Sequence, residues 1–165
     1  MPLVYLDTSA FLRRFKTEAG SIGIRSLFQL TEAAARGIVL VTSGMTLNEA
    51  AGVLRREHHK NHLTHQEMLD TFAEIIAETG RLVGAGVLRV EGPTLALCRA
   101  AAELTILKGC RPPDAIQLHT AVATGCSVLL AADRKLLKHA EAEGLEVHHA
   151  ADEAELQLWL SSLTP

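Results

Sequence analysis

The chain has 165 residues, 48% hydrophobic and 21% charged, with a formal charge of −3 at pH 7. Those proportions suit one globular domain over residues 1–165, and the small negative charge excludes a global attraction to nucleic acid or anionic membrane, so any polyanion must be met by a local field. No apolar run approaches the roughly 18 residues of a membrane helix, and Cys98, Cys110 and Cys126 are widely spaced with no C-x-x-C pair, which argues for buried thiols in a cytoplasmic protein rather than disulfides or structural zinc.

The run Leu3-Val4-Tyr5-Leu6 reads as a strand buried on both faces, and it stops at Asp7-Thr8-Ser9. A short helix is expected from Ala10 to Phe15, then a turn over Thr17 to Ser21. Ser21 is expected to cap a second helix through about Arg36, ended by Gly37. Ile38 to Thr42 is a second buried strand, followed by a helix from about Thr46 to His59. Thr64-His65-Gln66-Glu67 has the form of a capping box, so a further helix should run to about Thr79 and close at Gly80. Val87 to Val90 is a short strand, and Pro93 opens an alanine-rich helix that stops at Gly109. Pro112-Pro113-Asp114 introduces another helix, to about Thr124. Ser127 to Ala131 is a buried strand, Lys135 to Glu143 a helix, Leu145 to Val147 an edge strand, and Asp152 to Leu163 a last amphipathic helix. Strands alternating with helices imply an α/β fold of three layers, α/β/α, with a mainly parallel central sheet joined by right-handed crossovers.

Four acids stand out against this pattern. Asp7 and Asp133 each follow a buried strand, and the ends of parallel strands share one edge of the sheet. Glu49 lies on its helix in line with Met45 and Val53, where a carboxylate is costly unless paired. Asp114 sits in the first turn of its helix, where the dipole favours an anion. Each also has a purely structural use: Asp7 and Asp133 can cap the helices that follow, Asp114 with Gln117 has the form of a capping box, and Glu49 can bond Arg56 or solvent. Gathered together, four carboxylates would repel one another, and hard divalent ions such as Mg²⁺ or Mn²⁺ relieve that conflict.

Leu6-Asp7-Thr8-Ser9-Ala10, Leu47-Asn48-Glu49-Ala50, the segment from Asp114 to Ala121, and Ala132 to Leu136 together resemble the PIN-domain family, in this order and over nearly the whole chain. The nearest likeness is to the VapC-type toxins, small ribonucleases held inactive by an antitoxin. The resemblance implies a PIN-like fold and a Mg²⁺-dependent endoribonuclease, with Mn²⁺ as a possible substitute. Asp7, Glu49, Asp114 and Asp133 match the acidic quartet, and Ser9 falls where a hydroxyl often assists the metal. It also implies an RNA substrate, a 5′-phosphate product and a protein antitoxin. Thr8, Arg13 and Arg134 are the other residues expected beside the acids. Ala131 stands where the family often has a threonine, and the chain is longer than the smallest toxins, with the surplus expected between Thr46 and Thr79.

Basic residues follow the acids along the chain, namely Arg13, Arg14, Lys16, Arg55, Arg56, Lys108, Arg111, Arg134 and Lys135. They are either a cationic rim for a phosphate backbone or solvated helix faces. His58, His59, His62 and His65 form a tract better suited to a helix end than to a metal, and the helical pair around them is the expected surface for a homodimer. Dehalogenase-type phosphatases need a second aspartate where Ser9 stands, and receiver domains need an acid pair where Asp7 stands alone. A non-catalytic PIN-like module that binds RNA or a protein partner is the alternative reading.

Overall fold

The computed structural model describes residues 2–33 and 37–163. Five strands, β1 (Leu3–Leu6), β2 (Val39–Ser43), β3 (Leu88–Glu91), β4 (Val128–Ala131) and β5 (Glu146–His149), form one sheet in the order β3-β2-β1-β4-β5. Every neighbouring pair is parallel, with Tyr5 opposite both Val41 and Leu129. Alternation along the strands divides the core. Val4, Leu6, Leu40, Leu88, Val128 and Leu130 serve one face, and Tyr5, Val41, Leu129 and Ala131 the other.

On the first face lie α1 (Thr8–Leu12), α2 (Ser21–Glu32), α3 (Met45–His59), α4 (His65–Gly84) and α8 (Glu153–Ser162), contributing Phe11, Phe28, Leu54, Leu82 and Trp159 to its core. On the second lie α5 (Leu95–Lys108), α6 (Pro112–Ala123) and α7 (Arg134–Ala142), contributing Leu104, Leu118 and Leu137. This is the α/β/α architecture expected, with a wholly parallel sheet. The chain builds outward from β1 through β2 to β3, then crosses back to β4 and β5 on the other side. The carboxyl ends of β1 and β4 therefore flank the point where the winding reverses, which is where open sheets of this kind form a crevice.

Several boundaries differ from the sequence expectation, each for a local reason. α1 begins at Thr8 rather than Ala10 because Asp7 already caps it, accepting a hydrogen bond from Ala10 N at 2.8 Å. Ser21 does not cap α2. Gly20 holds that position at φ 84°, while the Ser21 hydroxyl donates to Lys16 O and accepts from Glu18 N. A Cβ on Gly20 would lie 1.8 Å from Ala150 O, so the close approach of this loop to the end of β5 requires glycine. The expected end of α2 at Arg36 lies outside the described residues. α4 passes through Gly80 and ends at Gly84, with the turn made by Gly86 at φ 71°. An interior glycine costs about 1 kcal/mol, and burying Leu82 two residues on offsets it by about 2 kcal/mol. The Thr64–Glu67 capping box at the other end of α4 is present in both directions.

Candidate functional site at the carboxyl edge of the sheet

A cleft of about 530 Å³ opens at the reversal point, and Asp7, Glu49, Asp114 and Asp133 all line it, with Thr8 and Ser9. Three of the acids arrive from element starts: Asp7 from the β1–α1 junction, Asp133 from the β4–α7 junction, and Asp114 from the first turn of α6. Glu49 comes from the second turn of α3, and Pro112 and Pro113 fix the start of α6 and hence the position of Asp114.

Asp7 is buried. Its Oδ1 accepts from Ala10 N at 2.8 Å and from the Ser9 hydroxyl at 2.7 Å. Burial nonetheless pushes its carboxyl up to about 6, the neighbouring Glu49 carboxylate adding to the effect against those hydrogen bonds. Ser9 also accepts from Ala132 N at 2.8 Å, so one hydroxyl ties Asp7 to the end of β4. The structural and site readings of Asp7 are thus compatible: one carboxylate both caps α1 and faces the cleft.

Glu49 is held by neutral donors. Thr8 Oγ1 donates to its Oε2 at 2.9 Å and Gln117 Nε2 to its Oε1 at 2.9 Å. Gln117, which sequence reasoning placed only in a possible capping box, is the hub beneath the cleft. Its Oε1 accepts from Tyr5 OH at 2.5 Å, and its Nε2 also lies 3.1 Å from Thr8 Oγ1. The signal that could have found it is its position one helical turn after Asp114, on the same side of α6. The capping-box use of Asp114 and Gln117 does not occur, because the N-cap position of α6 falls on Arg111, whose side chain makes no capping bond, and Asp114 lies inside the first turn.

Asp133 caps α7 by accepting from Lys135 N and Leu136 N. Burial acts to raise its carboxyl, but those two N–H groups and the Arg111 guanidinium outweigh it and hold the carboxyl below its ordinary value. Arg111 spans the outer pair: its Nε donates to Asp114 Oδ2 at 2.8 Å and its Nη2 to Asp133 Oδ2.

The expected basic rim is only partly assembled. Arg13, Lys16 and Arg111 line the cleft. Arg13, however, is buried and gives its guanidinium to Ser9 O at 2.5 Å and Ala19 O at 2.7 Å, so it braces the α1 region rather than offering charge. Arg134 lines an adjoining recess with Arg111, Asp114 and Asp133, outside the main cleft. Arg14 turns away to Glu78, and Lys108 pairs with Glu143 at 2.9 Å. In the histidine tract, His58 Nδ1 lies 3.0 Å from Leu63 O, and His62 pairs with Glu57 at 2.8 Å.

The donor set suits a hard divalent ion, being carboxylate and hydroxyl oxygen throughout. Among the described residues, no three His, Cys, Asp or Glu side chains close into a ligand set around an ion. Between Asp114 and Asp133 the positive charge is supplied by Arg111, a guanidinium standing where those carboxylates require a cation. The residues therefore fit a divalent ion by chemistry, with Arg111 as the group that would have to give way.

Among solved structures the chain is similar to PAE2754 from Pyrobaculum aerophilum, with a TM-score of 0.63 at 15% identity, covering 98% of this chain and 96% of that one. It is also similar to Mycobacterium tuberculosis VapC20, a Sarcin-Ricin loop cleaving toxin, with a TM-score of 0.60 at 22% identity over 86% and 95% of the two chains. At identities this low the likeness shows the fold alone. No curated protein matches the sequence. No helix among the described residues is long and apolar enough to cross a membrane. The PIN domain family model matches residues 4–142, a span that reaches four of the five strands and the positions of the four acids. The chain belongs to the PIN-domain family.

Proposed function

We propose that this protein is a Mg²⁺-dependent endoribonuclease, the toxin of a toxin–antitoxin pair, with RNA as substrate and a protein antitoxin as partner. The observation that carries the reading is the arrival of Asp7, Glu49, Asp114 and Asp133, from four separate elements, on one cleft at the reversal point of the sheet. The structural likeness to VapC20, a Sarcin-Ricin loop cleaving toxin, supports the substrate class.

Asp7, Glu49, Asp114 and Asp133 would hold the ion, with Mn²⁺ able to replace Mg²⁺. A divalent ion so bound lowers the pKa of a water and neutralises charge on the scissile phosphate. The chain's own residues prepare that site. Ser9 fixes the Asp7 carboxylate against β4, and Thr8 and Gln117 orient both oxygens of Glu49 without neutralising it. Their neutrality keeps the cleft anionic, which a cation needs. Lys16 and Arg111 are the cations left at the mouth to meet a phosphate backbone.

The test is cleavage of RNA with Mg²⁺ and with chelator, beside the Asp7→Asn protein. Cleavage that needs the ion and is lost in Asp7→Asn is expected; metal-independent cleavage, or an active Asp7→Asn, overturns the reading. Arg111 lying across Asp114 and Asp133 favours one alternative, a non-catalytic module that binds RNA or a protein. A protein with no measurable affinity for Mn²⁺ would select it.

A further inference from the structure

The passage from α3 to α4 carries His58, His59, His62 and His65. The chain reverses there through Asn61, at φ 60° the one non-glycine residue with a left-handed backbone among those described. His62 N donates to Glu57 O and Asn61 N to His58 O, both at 2.9 Å, which are the two bonds of a Schellman turn. That turn folds the chain back on the last turn of α3 before α4 begins. As a result His65, in the first turn of α4, stands with its ring centroid 5.7 Å from that of His58, the two planes at 61°.

Hydrogen bonding decides which ring nitrogens are open. His58 Nδ1 lies 3.0 Å from Leu63 O, and a carbonyl only accepts, so Nδ1 is the donor and the neutral ring keeps its lone pair on Nε2. A ring held in this way, one nitrogen donating to a backbone carbonyl and the other bare, is oriented as metal-ligating histidines are. The His65 side chain is exposed and makes no hydrogen bond or ion pair among the described residues. A metal–nitrogen distance of about 2.1 Å sets the centroids of two imidazoles on one tetrahedral ion roughly 5 Å apart. The His58–His65 separation is close to that, and rotation of the exposed His65 ring supplies the difference. His59 lies near as well, its centroid 5.9 Å from that of His58, but successive residues on a helix diverge by about 100° and do not face one point. The negative end of the α3 dipole favours a cation here, and so does Glu57, whose carboxylate accepts from His62 Nδ1 at 2.8 Å.

We infer that His58 and His65 form a metal site separate from the acidic cleft, for a divalent transition ion of borderline softness such as Zn²⁺ or Ni²⁺, with water in the remaining positions. Imidazole nitrogens select such ions, whereas the carboxylate and hydroxyl oxygens of the cleft select hard ones. Along α3 the rise from Glu49 to His58 is about 13 Å, so one ion does not serve both places. The ion joins the end of α3, the helix that carries Glu49, to the start of α4. The tract that reads in sequence as a set of helix-end histidines gains its second ligand from the reversal at Asn61. The inference is independent of the nuclease reading, since binding is measured without RNA.

Calorimetry of the full chain with Ni²⁺, in excess Mg²⁺ so that the harder ion serves the acidic cleft, is expected to show one Ni²⁺ bound per chain. His58→Gln and His65→Gln should each weaken that binding by about tenfold or more, while His59→Gln and Asp7→Asn leave it unchanged. Ni²⁺ should raise the melting temperature of the wild type but not that of His65→Gln. With Cu²⁺ as the probe, nitrogen coupling in the electron paramagnetic resonance spectrum should be present in the wild type and reduced in His65→Gln. Equal melting temperatures in chelator will show that the variants are folded, and His65, being exposed, decides the matter if His58→Gln does not fold. Absence of Ni²⁺ binding, or binding indifferent to His65, overturns the inference. So does binding lost in Asp7→Asn, the result expected if the ion sits in the acidic cleft.

Discussion

Two of the charged clefts among the described residues are of similar size and are built on opposite principles. In the one between α2 and α4, about 480 Å³, Arg14, Arg25 and Arg81 meet Glu74 and Glu78. Arg14 and Arg81 both reach Glu78 and Glu32, and Arg14 also covers the Phe28 ring at 4.6 Å. Hydrogen bonds from Arg81 and Arg14 hold the Glu78 carboxyl down to about 2. In the acidic cleft, Asp7, Glu18, Glu49, Glu57, Asp114 and Asp133 face, among the described residues, only Arg13, Lys16 and Arg111. Its inner carboxylates are held by hydroxyls, an amide and backbone N–H groups. A cleft whose charges are matched has finished its work as a clamp between helices. One whose inner carboxylates are oriented by neutral donors is what the proposed divalent ion would require.

The sharpest way to break this contrast is to exchange charges for neutral isosteres in each cleft. Asp7→Asn should lower Mg²⁺-dependent RNA cleavage by about a thousandfold, while Glu78→Gln leaves it unchanged; equal effects on a timed cleavage gel would erase the distinction.

A second measure is stability against pH without metal. The folded pKa of Asp7, about 6, exceeds the ordinary 3.8, so the folded state holds its proton more tightly than the unfolded one. Ionising Asp7 therefore costs stability, the cost growing as pH rises from about 4 to about 6 and then levelling. Asparagine keeps the helix cap without the charge. Metal-free Asp7→Asn should be more stable than wild type by about 3 kcal/mol at pH 7.5, the gain vanishing near pH 4 in denaturant melts. A gain that persists at pH 4 would assign it to something other than charge. In the matched cleft the sign reverses: Glu78→Gln should cost about 1 kcal/mol, and less in high salt, because the groups are near the surface.

The smallest expected effect concerns the one cation joining the outer acids. Arg111→Gln should tighten Mn²⁺ binding about threefold by calorimetry, because a competitor for Asp114 and Asp133 is removed. Weaker binding would instead make Arg111 a brace that holds those carboxylates in place.

Much of the fold was legible in the chain because its signals are local. Leu3 to Leu6 and Val128 to Ala131 are short apolar runs of the kind a doubly covered strand accommodates, and Thr64 with Glu67 encodes a helix start within four residues. Where a local signal was overruled, packing overruled it. Gly80 reads as a stop but remains helical because Ile75, Thr79 and Leu82 are buried on either side of it. Among the basic residues, spacing from an acid was a poor guide. Arg13 and Arg14 are adjacent in sequence, yet one braces main-chain carbonyls beside the cleft and the other belongs to the α2–α4 clamp.

The amino-acid sequence by itself determined the order of strands and helices and the acids that end or begin them, since periodicity and capping act within a few residues. Only the tertiary structure decided that β1 and β4 are neighbours, that Arg111 joins Asp114 to Asp133, and that Gln117 supports Glu49 across 68 residues. Those facts depend on which faces meet, and a pattern along one element constrains its own faces but not the surface that will lie against them.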